Sequence, residues 1–243
     1  MRLTRVYVEE SLASGARHLI SGGAANHMVR VLRLGVGAAL TLFDGTGGEY
    51  AARIESLRKD AVLVDVGAHA AVERESPLDV TLAQGISRGE RMDWVIQKAT
   101  ELGVRRIVPL ITQRSVVRLD ARQAQKKSQH WRGITIAACE QCGRNRLPEL
   151  AAPADLQEFL GGEARGQGTR LLLSPAGSVS IGTIKSLQKI TLLIGPEGGL
   201  APEEADAAMT QGFVGVQLGP RILRTETAAI AALAALQQAF GDL

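Results

Sequence analysis

From Leu78 onward, short apolar runs alternate with stretches of helical periodicity, and this alternation narrows the possible folds more than any other feature of the chain. The runs are Val80 to Ala83, Ile107 to Ile111, Arg170 to Leu173, Ile190 to Ile194 and Val214 to Leu218. They are short and close to continuously apolar, as strands are when helices cover both faces of a parallel sheet. Between the first two, Met92, Val95, Ile96, Ala99 and Leu102 share one face of a helix that Gly103 stops. A second helix is predicted from about Arg122 to Cys142, and Arg114, Arg118, Arg122 and Lys126 would form one basic stripe if helical. Gly161 to Thr169 reads as a loop. The spacing predicts an α/β domain with a mainly parallel sheet.

The last predicted helix, Thr225 to Phe240, has almost no polar face, because Ala228, Ile230, Leu233, Ala234, Leu236 and Phe240 surround it. It should be covered on more than one side. A second subunit and simple core burial both answer that need, and the pattern leaves the two open.

The first seventy residues follow a different rule. Apolar residues alternate at Val6 and Val8, at Leu40 and Leu42, and at Val62, Val64 and Val66, which predicts short strands. Asp44 to Gly48 makes a turn, and Ala24 to Leu34 reads as a short helix stopped by Gly35. A small β-barrel over residues 1–72 is expected, poor in acids and histidines that could form a site, and thus a binding module. The polar stretch His69 to Pro77 reads as the linker, with the second domain over residues 73–243.

Charge is uneven. The net charge is only +3, yet residues 88–146 hold 13 basic and five acidic residues, which points to a polyanion. No apolar run is long enough to cross a bilayer, and the first twenty residues lack the apolar core of a secretory signal, so a cytoplasmic location and no membrane partner are expected. Cys139 and Cys142 are too few for a disulfide framework, lack a second pair for zinc, and sit late in a helix, so no metal is expected. Phosphate-loop and dinucleotide-binding patterns are missing.

Two loops stand out: Leu193 to Gly199 and Leu218 to Thr227. Each leaves a predicted strand at its C-terminal end, where α/β sheets bind ligands, and glycine there lets the backbone approach a ligand closely. Arg221, Arg224 and Glu226 crowd the start of the buried helix beside the second loop.

These loops, with Gln97-Lys98-Ala99-Thr100-Glu101-Leu102-Gly103, Arg114-Ser115-Val116, Glu140-Gln141, Arg144, His27 to Arg33 and Ile222-Leu223-Arg224-Thr225-Glu226-Thr227-Ala228, resemble the 16S ribosomal RNA uridine N3 methyltransferases. That is the RsmE family of the knotted SPOUT methyltransferases. Cys142 departs from the pattern, which has a small polar residue there. The resemblance implies a PUA-like barrel that binds RNA, a C-terminal domain threaded into a trefoil knot, and S-adenosylmethionine as cofactor; a homodimer is the expectation from the last helix if a second subunit covers it. It implies a cofactor pocket formed by Leu172, Leu173, Ser174, Ile194, Gly195, Gly199, Leu218, Gly219, Ile222, Leu223, Thr225 and Ala228. The substrate would be 16S ribosomal RNA or the small ribosomal subunit. Its expected contacts are Arg5, His27, Arg30, Arg33, Arg88, Arg114 and Arg144.

Methylation at uridine N3 needs the ring proton removed and the resulting anion stabilised. Arg224 suits the second task, and Glu226 or Glu197 could take the proton or hold the arginine. Glu226 could equally stabilise the helix N-terminus by its charge. The same pattern could instead serve methylation of a ribose 2′-hydroxyl, or a non-catalytic RNA-binding assembly factor.

Overall fold

The computed structural model describes residues 4–117, 119–162, 168–184 and 188–243, so Arg118 of the basic stripe and most of the Gly161 to Thr169 loop lie outside the described residues. The chain forms two compact units, one of residues 1–75 with 139–147 and one of residues 76–138 with 148–243.

The first unit is a five-stranded sheet in the order β1-β3-β4-β5-β2. Its strands are Thr4–Tyr7 (β1), Arg17–Ser21 (β2), Ala39–Phe43 (β3), Glu49–Arg58 (β4) and Ala61–Ala70 (β5). β1 pairs with β3 in parallel and the other pairs are antiparallel. Alternating residues such as Val62, Val64 and Val66 fill one buried face with Leu40, Leu42 and Ile54. Instead of one helix over 24–34, there is a short helix Gly22–Asn26 (α1) followed by a π-helical turn, His27–Val31. β5 extends through His69 and Ala70, so the expected linker begins later. Glu73 and Glu75 pair with Arg146 and Arg144 inside this unit.

Two expected RNA contacts are corrected here. Arg5 is buried: its guanidinium donates to Glu49 at 2.5 Å, to Asn145 Oδ1 at 2.6 Å and to the Arg144 carbonyl at 3.2 Å. Arg144 is also buried and forks onto Glu75, with Nη2 donating at 2.6 Å. A basic residue in the sequence signals a surface only if no carboxylate claims it, and here the fold supplies one for each.

The second unit is an eight-stranded sheet in the order β11-β13-β10-β12-β6-β7-β8, with β9 pairing to β7. The strands are Asp79–Gly85 (β6), Arg106–Ile111 (β7), Glu149–Leu150 (β8), Ala154–Asp155 (β9), Thr169–Leu173 (β10), Val179–Ser180 (β11), Lys189–Ile194 (β12) and Val214–Gln217 (β13). Every pairing is parallel. The helices are Glu90–Glu101 (α2), Ala121–Cys142 (α3), Leu156–Gly161 (α4), Pro202–Thr210 (α5) and Thr225–Phe240 (α6). α3 begins at Ala121, so Arg114 lies off the helix and the stripe is not one helical face.

The near-continuous apolar runs now have their reason. Leu171, Leu192 and Leu82 pack on one side of the sheet with α2 and α6, while Leu172, Leu193 and Ala83 pack on the other with α4 and α5. β13 follows β12 in sequence but pairs with β10 on the far side of it. The chain then returns to seat Thr225 against Gln84 and Gly195, at the ends of β6 and β12. That crossing back is the strand order a threaded, trefoil-type C-terminus requires. α6 buries Ala229, Ala232, Leu233 and Leu236, whereas Ile230, Ala231, Ala234 and Phe240 stay half-buried. No described helix is long and apolar enough to cross a membrane.

Candidate functional site

The strands β10, β12 and β13 end together, and the loops that follow them enclose a cleft of about 600 Å³. That is within the range of small-molecule sites, roughly 300 to 1,000 Å³. Every residue expected to hold the cofactor lines it: Leu172, Leu173 and Ser174 at the end of β10, Ile194, Gly195 and Gly199 at and beyond the end of β12, and Leu218, Gly219, Ile222, Leu223, Thr225 and Ala228 around the start of α6. The three expected reacting residues, Arg224, Glu226 and Glu197, line it too.

Glycine is needed here for two different reasons. A Cβ on Gly195 would lie 2.8 Å from the Gly199 carbonyl carbon and from the Leu200 nitrogen, so only a bare backbone lets this loop fold back on itself. Gly219 has φ of 77°, in the left-handed region that side chains disfavour, although no protein atom would lie within 4 Å of its Cβ.

A buried amide fixes the loops. Gln84, fully buried at the end of β6, donates through Nε2 to Thr225 Oγ1 at 3.0 Å, and the Thr225 hydroxyl donates to the Gly195 carbonyl at 2.7 Å. One chain of hydrogen bonds thus joins the ends of β6 and β12 to the first turn of α6. Thr225 is spent on this link, which makes it a positioning residue for the loops. In sequence, Gln84 shows only as one polar residue closing an apolar run.

The charged groups divide the work unevenly. Glu197 Oε1 accepts from the Arg88 backbone N–H at 2.9 Å and from Arg91 Nη1 at 2.8 Å. Partial burial opposes ionisation, but these hydrogen bonds and one from its own backbone N–H outweigh it and hold the carboxyl below the usual range. Glu226 is different: its side chain is 14% exposed, Oε1 lies 3.8 Å from Arg91 Nε, and Oε2 is enclosed without a hydrogen-bond partner among the described residues. A buried acceptor is costly to leave unpaired, so this oxygen suits a donor on a bound ligand. Arg224 and Arg221 are exposed on the cleft with no side-chain partner among the described residues.

Arg91, on the first turn of α2, was not among the expected site residues, yet it bridges both carboxylates and lines the cleft. In sequence Arg91 is one more charge on an amphipathic helix, and nothing local sets it apart. Arg114 also lines the cleft, with Nη1 donating to the Gly198 carbonyl at 3.1 Å. Arg88 is exposed. His27, Arg30 and Arg33 are exposed around the π-helical turn of the first unit, and Arg33 takes a left-handed φ of 52°. Cys139 is buried with its thiol pushed up to about 12, mainly by burial, which makes it inert. No cluster of metal-ligating side chains occurs among the described residues.

A family model described as an RNA methyltransferase domain matches residues 74–237, and one described as an RNA methyltransferase PUA domain matches residues 20–67. Ribosomal RNA small subunit methyltransferase E of Buchnera aphidicola (from Schizaphis graminum) is 34% identical, over 100% of this chain and 98% of that one. The Bacillus subtilis protein of the same name is 33% identical over 97% and 94%. Among solved structures, a protein of Legionella pneumophila described as a methyltransferase, with bound SAM, is 44% identical with a TM-score of 0.96, covering both chains fully. The Neisseria gonorrhoeae ribosomal RNA small subunit methyltransferase E, bound to S-adenosyl methionine, is 37% identical with a TM-score of 0.91, again over both full chains.

Proposed function

The chain belongs to the family of ribosomal RNA small subunit methyltransferase E, and from that premise we propose that it methylates N3 of a uridine in 16S ribosomal RNA with S-adenosylmethionine as donor. The observation that carries this reading is one cleft in which loop backbone converges with an arginine and a carboxylate oxygen that have no side-chain partner among the described residues.

The residues fit the cofactor. Adenosine without phosphate needs a dry wall and free backbone groups, which Leu172, Ile194, Leu218 and Leu223 with Gly195 and Gly219 supply. When bound, the cofactor supplies an electrophilic methyl group, whose bond to sulfur breaks as its bond to N3 forms.

The protein's own task is to make N3 a nucleophile. Arg91 holds one oxygen of Glu226, leaving Oε2 to accept the N3 proton. Arg224 donates to the uracil oxygen on which negative charge gathers. Glu197, tied to Arg88 and Arg91, anchors the arginine and does not take the proton. His27, Arg30, Arg33, Arg88 and Arg114 are the proposed RNA contacts, all exposed. The half-buried apolar face of α6 at Ile230 and Ala234 is the proposed surface for a second copy, giving a homodimer in the cytoplasm.

Transfer of labelled methyl from S-adenosylmethionine to small-subunit ribosomal RNA tests the activity, and transfer to no RNA would reject it. The division of roles has its own test. Glu226→Gln should lower kcat about 100-fold or more, the usual worth of a general base. Glu197→Gln should cost less than about tenfold, since it removes only a tether. A larger loss in the Glu197 variant would reverse the assignment.

A further inference from the structure

Long solvent-facing helices usually interleave acidic and basic residues at a spacing of three or four, because such pairs offset each other's charge. α3 does not. From Ala121 to Cys139 it holds no aspartate or glutamate, and its polar residues are glutamine, serine, threonine, histidine, arginine and lysine. Arg122, Gln125, Lys126, Gln129 and His130 are exposed. Arg122 and Lys126, four residues apart, share one face about 6 Å apart along the axis, and Lys126 and His130 repeat the step. Like charges at that spacing cost a helix a few tenths of a kcal/mol per pair.

The nearby acids are committed elsewhere. Asp120 caps the helix, accepting from the Gln123 N–H at 2.8 Å. Asp93 on α2 contacts His130 Nε2 at 2.8 Å and accepts from Trp131 Nε1 at 3.2 Å. Trp131 is fully buried, so the helix cannot roll and its cationic face is fixed outward. Neither Arg122 nor Lys126 has an acidic partner among the described residues.

We propose that this face of α3, led by Arg122 and Lys126 and flanked by Gln125 and Gln129, docks on the phosphate backbone of the RNA substrate. An acid-free, rigidly held cationic face complements the charge of a polyanion, and the glutamines can donate to phosphate or sugar oxygens. The inference rests on the reading that the substrate is RNA. It adds a docking surface to the cleft and to the π-helical turn.

The test compares the full-length wild type with Arg122→Gln/Lys126→Gln, using an in vitro transcript of small-subunit ribosomal RNA and binding measured against salt. Glutamine keeps helix propensity, so folding should persist, and thermal unfolding checks this. Two lost phosphate contacts should make the logarithmic salt slope shallower by about 1.4 to 1.8. If the lines meet at 1 M salt, affinity at 0.1 M falls about 25- to 60-fold. S-adenosylhomocysteine affinity should not change, and the charge-keeping swap Arg122→Lys/Lys126→Arg should restore the slope. Superimposed lines, or a lower affinity with an unchanged slope, would overturn the proposal. If the wild type transfers methyl to the transcript and the lines superimpose, only the docking surface fails. If the wild type transfers none to the transcript and none to small ribosomal subunits, the functional reading itself has failed.

Discussion

Gly219→Val is expected to weaken S-adenosylhomocysteine binding at least 100-fold while the protein still folds. The residue sits at φ of 77°, where a β-branched side chain is strained by about 1 to 3 kcal/mol. No protein atom lies within 4 Å of the added Cβ, so the fold has room for it. The residue lines the cleft, so any relaxation of φ moves the loop that forms the wall. Titration calorimetry with S-adenosylhomocysteine, alongside thermal unfolding, reads both effects. Wild-type affinity in a folded variant would remove the cofactor from this cleft.

Arg224→Ala is expected to do the reverse, lowering kcat about 100-fold or more while S-adenosylhomocysteine affinity stays within about twofold. The guanidinium is exposed on the cleft and pairs with no other side chain among the described residues, so removing it costs the fold little. Its proposed partner is charge that develops on the uracil as N3 loses its proton. An interaction present only in the transition state appears in kcat and not in cofactor binding. Loss of one such donor is worth about 2.7 to 4 kcal/mol. Arg224→Lys keeps the charge but not the fork and should recover part of the rate. If cofactor affinity falls and kcat does not, Arg224 is a binding residue.

The strands of the second unit were legible because burial on both faces forces near-continuous apolar runs, and β6, β7, β10, β12 and β13 all carry one. β8, β9 and β11 have two residues each, too short to carry a pattern. The cleft was legible because glycines at strand ends mark close backbone approach, as at Gly195 and Gly219. Arg91 and Gln84 were not legible. One is an ordinary charge on a helix, and the other's role depends on Thr225, 141 residues away. Arg5 and Arg144 were misread for the same reason: their carboxylate partners, Glu49 and Glu75, lie 44 and 69 residues away. Residues 139–147 pack with the first 75, a long-range association that no local periodicity encodes. Local pattern reports burial and turns, whereas buried ion pairs depend on which distant segments the fold brings together.

Transfer of the cofactor methyl to uridine N3 can be read from the nucleosides of the product. Small-subunit ribosomal RNA would be incubated with the enzyme and methyl-labelled S-adenosylmethionine, digested to nucleosides and resolved by chromatography and mass spectrometry. Label is expected in 3-methyluridine, present with the wild type and reduced about 100-fold or more with Arg224→Ala. Label in a 2′-O-methylated nucleoside, or no labelled nucleoside at all, would contradict it.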